Sequence, residues 1–123
     1  MILITGGIGS GKHSFAVRSL GYSEEDLSSN LLDGKAVFCG LQDLIREKGT
    51  MSEELKEALL KKEVVISEEV GCGVVPLDAQ ERSWRDEVGR TQVDLATEAD
   101  TVIRMVCGIP QVIKGELPTP LSS

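Results

Sequence analysis

Aromatic side chains are nearly absent, with one Trp, one Tyr and two Phe in 123 residues. A folded core must therefore be aliphatic, built from Val, Ile and Leu. Basic charge is in deficit: 13 Lys and Arg against 20 Asp and Glu leave a net charge of −7 and a pI near 4.7. Such a surface repels a phosphate backbone, which argues against nucleic acid as a partner. It does not exclude a small phosphate ligand held by a local pocket of backbone N–H groups. Cys39, Cys72 and Cys107 are far apart and form no C-x-x-C pair. They read as buried, reduced thiols rather than metal ligands. An odd cysteine count with no signal peptide fits the cytosol, the apolar start at Met1 to Ile4 being too short for a signal core. No run approaches the ~20 apolar residues that span a bilayer. Histidine occurs once, at His13.

What remains is ordinary globular material, 41% hydrophobic and 27% charged, without repeats, low-complexity segments or linkers. The length suits a single domain, placed at residues 1–115, with 116–123 as a flexible Pro- and Ser-containing tail. Met1 to Thr5 reads as a strand, Gly6 to Gly11 as a turn, and Lys12 to Leu20 as a helix with Phe15 and Leu20 inward. Gly21 to Gly34 is polar and reads as a loop with one helical turn. Ala36 to Cys39 is a short buried strand. Leu41 to Lys48 is amphipathic and ends at Gly49, a C-cap. Ser52 is the N-cap of a helix bearing Leu55, Leu59 and Leu60. Glu63 to Ser67 is the clearest buried strand. A long helix spans Ala79 to Glu98, with Trp84, Val88, Thr91 and Leu95 on one face. Thr101 to Cys107 is a strand, and Gln111 to Lys114 closes a terminal hairpin. Strands alternating with helices imply an α/β fold with a mostly parallel sheet flanked by helices and a C-terminal β-hairpin.

The chemistry concentrates in Gly6-Gly7-Ile8-Gly9-Ser10-Gly11-Lys12. This matches the first seven positions of G-x-x-x-x-G-K-[ST], the phosphate loop. Glycines let successive N–H groups point at one phosphate, and the lysine reaches the β- and γ-phosphates. The position between a strand and a helix favours this reading over a merely flexible turn, so the fold is read as P-loop NTPase-like and the ligand as ATP or GTP. The eighth position, whose hydroxyl binds Mg2+, is His13, and imidazole is a poor ligand for a hard cation. Ser14 is one residue late, about 100° further round the helix. Glu68 and Glu69 follow the EVVIS strand. They are candidates to hold Mg2+ or its water, or equally a solvated pair at a strand end.

Downstream stand Glu69-Val70-Gly71-Cys72-Gly73-Val74-Val75-Pro76, Arg85-Asp86, Gly89-Arg90 and the ending Val106-Cys107-Gly108-Ile109-Pro110-Gln111-Val112-Ile113-Lys114. With the phosphate loop, this set resembles the adenosylcobinamide kinase / adenosylcobinamide-phosphate guanylyltransferase family of cobalamin biosynthesis. That family carries GG-x-x-SGKS, E-V-G-x-G-[IV]-V-P, R-D-x-x-G-R-x-N-Q and V-x-G-[IL]-x-x-x-[IL]-K. The resemblance is strong over Met1 to Leu20 and Val64 to Gly115 and weak between.

The resemblance implies a nucleotide-dependent kinase acting on the aminopropanol hydroxyl of adenosylcobinamide, a corrinoid. Lys12 and Glu69 are then catalytic candidates. Gly6, Gly7, Ile8, Gly9, Ser10, Gly11, Lys12, His13, Ser14 and Arg90 are nucleotide-binding candidates. Arg90 reads equally as a helix-surface partner of Asp86. The resemblance also implies a trimer, for which Trp84 and the terminal hairpin are candidate interface residues if they are not plain core. Family members are longer, with a guanylylated histidine after the first helix. Here that region is the short polar stretch Gly21 to Lys35, which has no histidine, and the Asn-Gln pair of the R-D helix reads Gln92-Val93. The guanylyl step is therefore expected to be lost. Two other readings stay open: a non-catalytic or regulatory nucleotide-binding protein of the same pathway, favoured by His13, and a kinase of another small alcohol.

Overall fold

The structure, a computed structural model, describes residues 1–69 and 78–117. The elements run β1 (Ile2–Gly6), α1 (Lys12–Arg18), a 3-10 turn (Glu24–Asp26), β2 (Leu27–Ser28), β3 (Val37–Cys39), α2 (Leu41–Lys48), α3 (Glu53–Leu60), β4 (Val64–Glu68), α4 (Ala79–Glu98), β5 (Thr101–Val106) and β6 (Ile109–Lys114). They form one six-stranded sheet in the order β2-β3-β4-β1-β5-β6. Every pairing is parallel except β5 with β6, the antiparallel hairpin. The expected fold class is the one observed.

Strict alternation of side chains along the strands explains the layering. Leu3, Phe38, Val65 and Val102 point to one face, where they meet Leu41 and Ile45 of α2, Leu59 of α3, and Val88 and Leu95 of α4. Ile4, Val37, Val64, Ile66 and Ile103 point to the other, where they meet Phe15 and Ala16 of α1 with Leu20 and Tyr22. Both faces of the central strands are thus covered, which is why β1 and β4 are near-continuous apolar runs. Phe38 is the largest of the side chains fully sealed from solvent. Truncating it to Ala should cost about 3–5 kcal/mol through the cavity left behind.

Local signals set the helix boundaries. Ser52 caps α3 by accepting from the Leu55 N–H at 3.2 Å. Asp78 caps α4 by accepting from the Gln80 N–H at 2.8 Å. Gly49 ends α2, its N–H donating to the Ile45 carbonyl at 2.7 Å.

Three details differ from the sequence reading. The two-residue strand β2 lies inside the expected loop, where so short a pairing leaves no periodicity to detect. Strand β6 begins at Ile109, because the tight turn at Cys107 (φ 51°) and Gly108 (φ 78°) reverses the chain at once. Cys107, expected to be buried, is exposed at that turn, while Cys39 is half-buried and burial pushes its thiol pKa up. Cys72 and the segment Val70 to Pro76 lie outside the described residues, as does most of the expected tail.

Candidate functional site

An open cavity of about 590 Å³ lies at the carboxyl ends of β3 and β4, against the loop that follows β1. This is where open parallel sheets bind ligands. One wall is Gly9, Ser10, Gly11, Lys12, His13 and Ser14. The opposite wall is Cys39, Gly40, Gln42 and Asp43 at the entry to α2, with Ser29 beside it and Ile66 and Glu68 at the base.

Two glycines explain the loop's shape. A Cβ on Gly6 would stand 2.8 Å from the Met105 carbonyl oxygen, a contact no side chain tolerates. Gly11 begins α1 at φ +95°, and a Cβ there would meet the Gly108 Cα at 3.2 Å. The hairpin turn braces the loop from outside, its Gly108 N–H donating to the Ser10 carbonyl at 2.9 Å.

Lys12 is buried and folds back into the loop. Its ammonium donates to the Gly7 carbonyl at 2.7 Å, the Gly6 carbonyl at 3.1 Å and, at 3.5 Å, the Ser10 Oγ. Burial pushes its pKa below the ordinary lysine value, and the charges of Glu68 and then Glu69 oppose that shift. The loop therefore presents a cation ringed by carbonyl oxygens, facing a carboxylate on β4. His13 and Ser14 are both exposed on the cavity wall.

The other sequence candidates stand apart from this wall. Gly6 and Gly7 reach the site through their carbonyls on Lys12. Ile8 projects into solvent, 88% exposed. The Glu69 carboxylate accepts from the Arg104 Nε at 2.6 Å and from its second guanidinium nitrogen at 3.1 Å. Glu68, one residue earlier, is the carboxylate that lines the cavity. Arg90 is exposed on α4 and lies 3.8 Å from Glu87, not against Asp86. The Trp84 indole packs against the core, donates to the Gln42 carbonyl at 2.8 Å and carries the Arg46 guanidinium 3.8 Å above its ring.

The sequence reading missed Gln42, Asp43, Gln92 and Arg104. Gln42 is buried and accepts the Glu68 N–H at 3.1 Å, and Gln92 donates to the Glu68 carbonyl at 3.0 Å. The available signal was the length of AVFC against EVVIS, which leaves the end of β4 without a strand on that side.

Among the described residues, no group of three His, Cys, Asp or Glu side chains could hold a metal on its own. Mg2+ is more often held by one or two carboxylates together with phosphate oxygens and waters. Glu68 and Asp43 on the same cavity fit that mode, with a nucleotide supplying the phosphates.

A parallel α/β sheet with a lysine-bearing glycine loop after its first strand defines the class of P-loop-like proteins. Within that class, residues 26–113 match the cobinamide kinase / cobinamide phosphate guanyltransferase family. That is most of the chain, and the chain belongs to this family. The match includes the middle region, where the sequence resemblance is weak, and begins after the phosphate loop. A stretch of 53 residues is 38% identical to the bifunctional adenosylcobalamin biosynthesis protein CobP of Pseudomonas aeruginosa. It covers 43% of this chain and 31% of that protein, so the match spans about a third of the relative's length. Among the described residues, no helix is long and apolar enough to cross a membrane.

Proposed function

We propose that this chain binds ATP or GTP and phosphorylates a hydroxyl of a corrinoid, the aminopropanol hydroxyl of adenosylcobinamide. The observation that carries the reading is the Lys12 ammonium seated in the glycine loop, across a cavity from Glu68. Phosphoryl transfer needs positioned phosphates, countercharge and an aligned hydroxyl, with no covalent residue. Lys12 exchanges its loop carbonyls for the β- and γ-phosphate oxygens. Gly9, Ser10 and Gly11 supply backbone N–H groups. Glu68 stands where a metal-bound water or the acceptor hydroxyl needs a carboxylate, and Glu69 supports it from its pair with Arg104. Mg2+, when bound with the nucleotide, neutralises phosphate charge. Family membership and the CobP match support the pathway. The cytosol and a homotrimer follow from the same reading.

The second reading, a nucleotide-binding protein without catalysis, is favoured by one observation: an imidazole stands where the metal-binding hydroxyl belongs. Titration with ATP and GTP, with and without magnesium, followed by mass detection of phosphorylated adenosylcobinamide, separates the two. Binding with turnover supports the kinase. Binding without turnover supports the second reading, and turnover only on a different small alcohol would move the substrate assignment. Absence of nucleotide binding overturns both.

A further inference from the structure

We infer that Gln42 and Gln92 are positioning residues that take the place of a missing strand and thereby fix Glu68 in the phosphate cavity. The inference rests on the reading of Glu68 as the carboxylate serving the bound phosphates.

Its basis is an alternation in backbone direction. In β4, the Ile66 carbonyl accepts from the Gly40 N–H at 3.1 Å, on the β3 side. The Glu69 N–H donates to the Gly6 carbonyl at 2.9 Å, on the β1 side. Glu68 therefore turns its backbone polar groups the same way as Ile66, toward β3. Strand β3, however, ends its register at Cys39 opposite Ile66, and the chain turns into α2. Both polar groups of Glu68 would be left without a strand partner.

Two side-chain amides supply what the peptide groups of a longer β3 would have supplied. The Gln42 Oε1 accepts the Glu68 N–H at 3.1 Å. The Gln92 Nε2 donates to the Glu68 carbonyl at 3.0 Å and to the Ser67 Oγ at 2.8 Å. The two glutamines come from different helices. Those helices are themselves joined, because the Gln42 carbonyl accepts from the Trp84 indole of α4 at 2.8 Å. Ser67 is sealed from solvent and Gln42 nearly so, so water is a poor substitute for either amide. On its other side Glu68 stands in register with Gly6, the first residue of the phosphate loop. The result is a carboxylate whose own N–H and carbonyl are held from the β3 side, and whose neighbour Glu69 is bonded to β1, before any ligand arrives, the arrangement a pre-organised site requires.

The test uses the full chain and four variants: Glu68→Gln, Gln92→Leu, Gln42→Leu and the Glu68→Gln/Gln92→Leu double. Each is titrated with ATP and with GTP, with and without magnesium, and amide exchange is followed at Glu68. Gln92→Leu and Gln42→Leu should each reduce the magnesium-dependent gain in nucleotide affinity about tenfold, the size expected within one hydrogen-bond network. Gln92→Leu, whose side chain is not part of the cavity wall, should leave magnesium-free affinity unchanged, and the double variant should lose no more than Glu68→Gln alone. Gln42→Leu should also speed exchange of the Glu68 amide. If Gln92→Leu does not fold, Gln92→Asn, which keeps the amide on a shorter arm, takes its place with the same expectation and a smaller loss. In Gln92→Leu, equal losses with and without magnesium, or a loss that adds to that of Glu68→Gln, overturn the positioning role. An unchanged magnesium gain in Glu68→Gln overturns the reading of Glu68 itself, and the inference with it.

Discussion

The ammonium of Lys12 lies 2.7 Å from the carbonyl oxygen of Gly7, within the loop that Lys12 itself closes. The residue best suited to hold a triphosphate is thus held by oxygens that a phosphate would replace. Burial depresses its pKa, and Glu68 and Glu69 hold the charge on against that. Lys12→Ala should therefore weaken ATP and GTP binding about 10- to 100-fold, from the ~1.5–3 kcal/mol of a hydrogen bond to a charged group. The fold should persist, because each carbonyl it leaves keeps a backbone donor, Gly6 from the Glu69 N–H at 2.9 Å and Gly7 from the Ser10 N–H at 3.2 Å. Calorimetric titration beside thermal unfolding checks both halves. Unchanged nucleotide affinity in a folded variant would rule out the phosphate-loop reading.

His13 faces the same cavity from the first turn of α1. His13→Ser restores a hydroxyl at the metal-binding position of the loop. It should increase the gain in nucleotide affinity that magnesium provides, by about tenfold or less, with magnesium-free affinity little changed. Isothermal titration at fixed nucleotide and varied magnesium reads the effect. Strong magnesium coupling in the natural protein that the serine does not improve would show that imidazole is no defect there.

These two residues were legible because a loop motif has fixed spacing. So were the two caps, Ser52 and Gly49, and the buried run of β4, where polarity pattern and local chemistry agree. Strand β2 was not legible, because Leu27 and Ser28 alone carry no period. Gln42 and Gln92 were hidden for a different reason: a glutamine on a helix reads as solvent-facing unless the strand it reaches is known to lack a neighbour. Glu68 and Glu69 are identical in type and adjacent in sequence. Only the pleat, which sends one into the cavity and the other toward Arg104, tells them apart.

Tyr22, the single tyrosine, donates from its hydroxyl to the Glu63 carboxylate at 3.1 Å. Burial first, then the Glu63 charge, raise its pKa from 10.0 to about 12. Between those values the unfolded chain gives up the phenolic proton while the folded chain keeps it. The folded state then binds more protons, so this group's contribution to stability is complete below pH 10 and is lost as pH rises toward 12. Tyrosinate absorbance should rise near pH 12 in the native protein and near pH 10 in urea. A native midpoint at the unfolded value would show that Tyr22 is neither buried nor held by Glu63.

No covalent guanylyl intermediate should form on this chain. Storing GMP requires a nucleophile in line with the α-phosphorus, with the reacting atoms about 3–3.5 Å apart. The resemblance puts the guanylylated histidine after the first helix, where the chain has a loop, a 3-10 turn and β2, and no histidine. His13 follows Lys12 directly at the start of α1, so on the proposed reading it would face the β- and γ-phosphates. Bringing its imidazole to the α-phosphorus would mean unwinding the turn that Gly11 starts and Gly108 braces. Lys12 could form a phosphoramidate in principle, but its side chain is engaged by the loop, donating to the Gly7 and Gly6 carbonyls. Incubation with α-labelled GTP and magnesium, then denaturation and intact-mass measurement, should show the unmodified chain. A stoichiometric GMP adduct on any residue would restore a bifunctional reading, and mapping it to His13 would mean that the loop opens during the reaction.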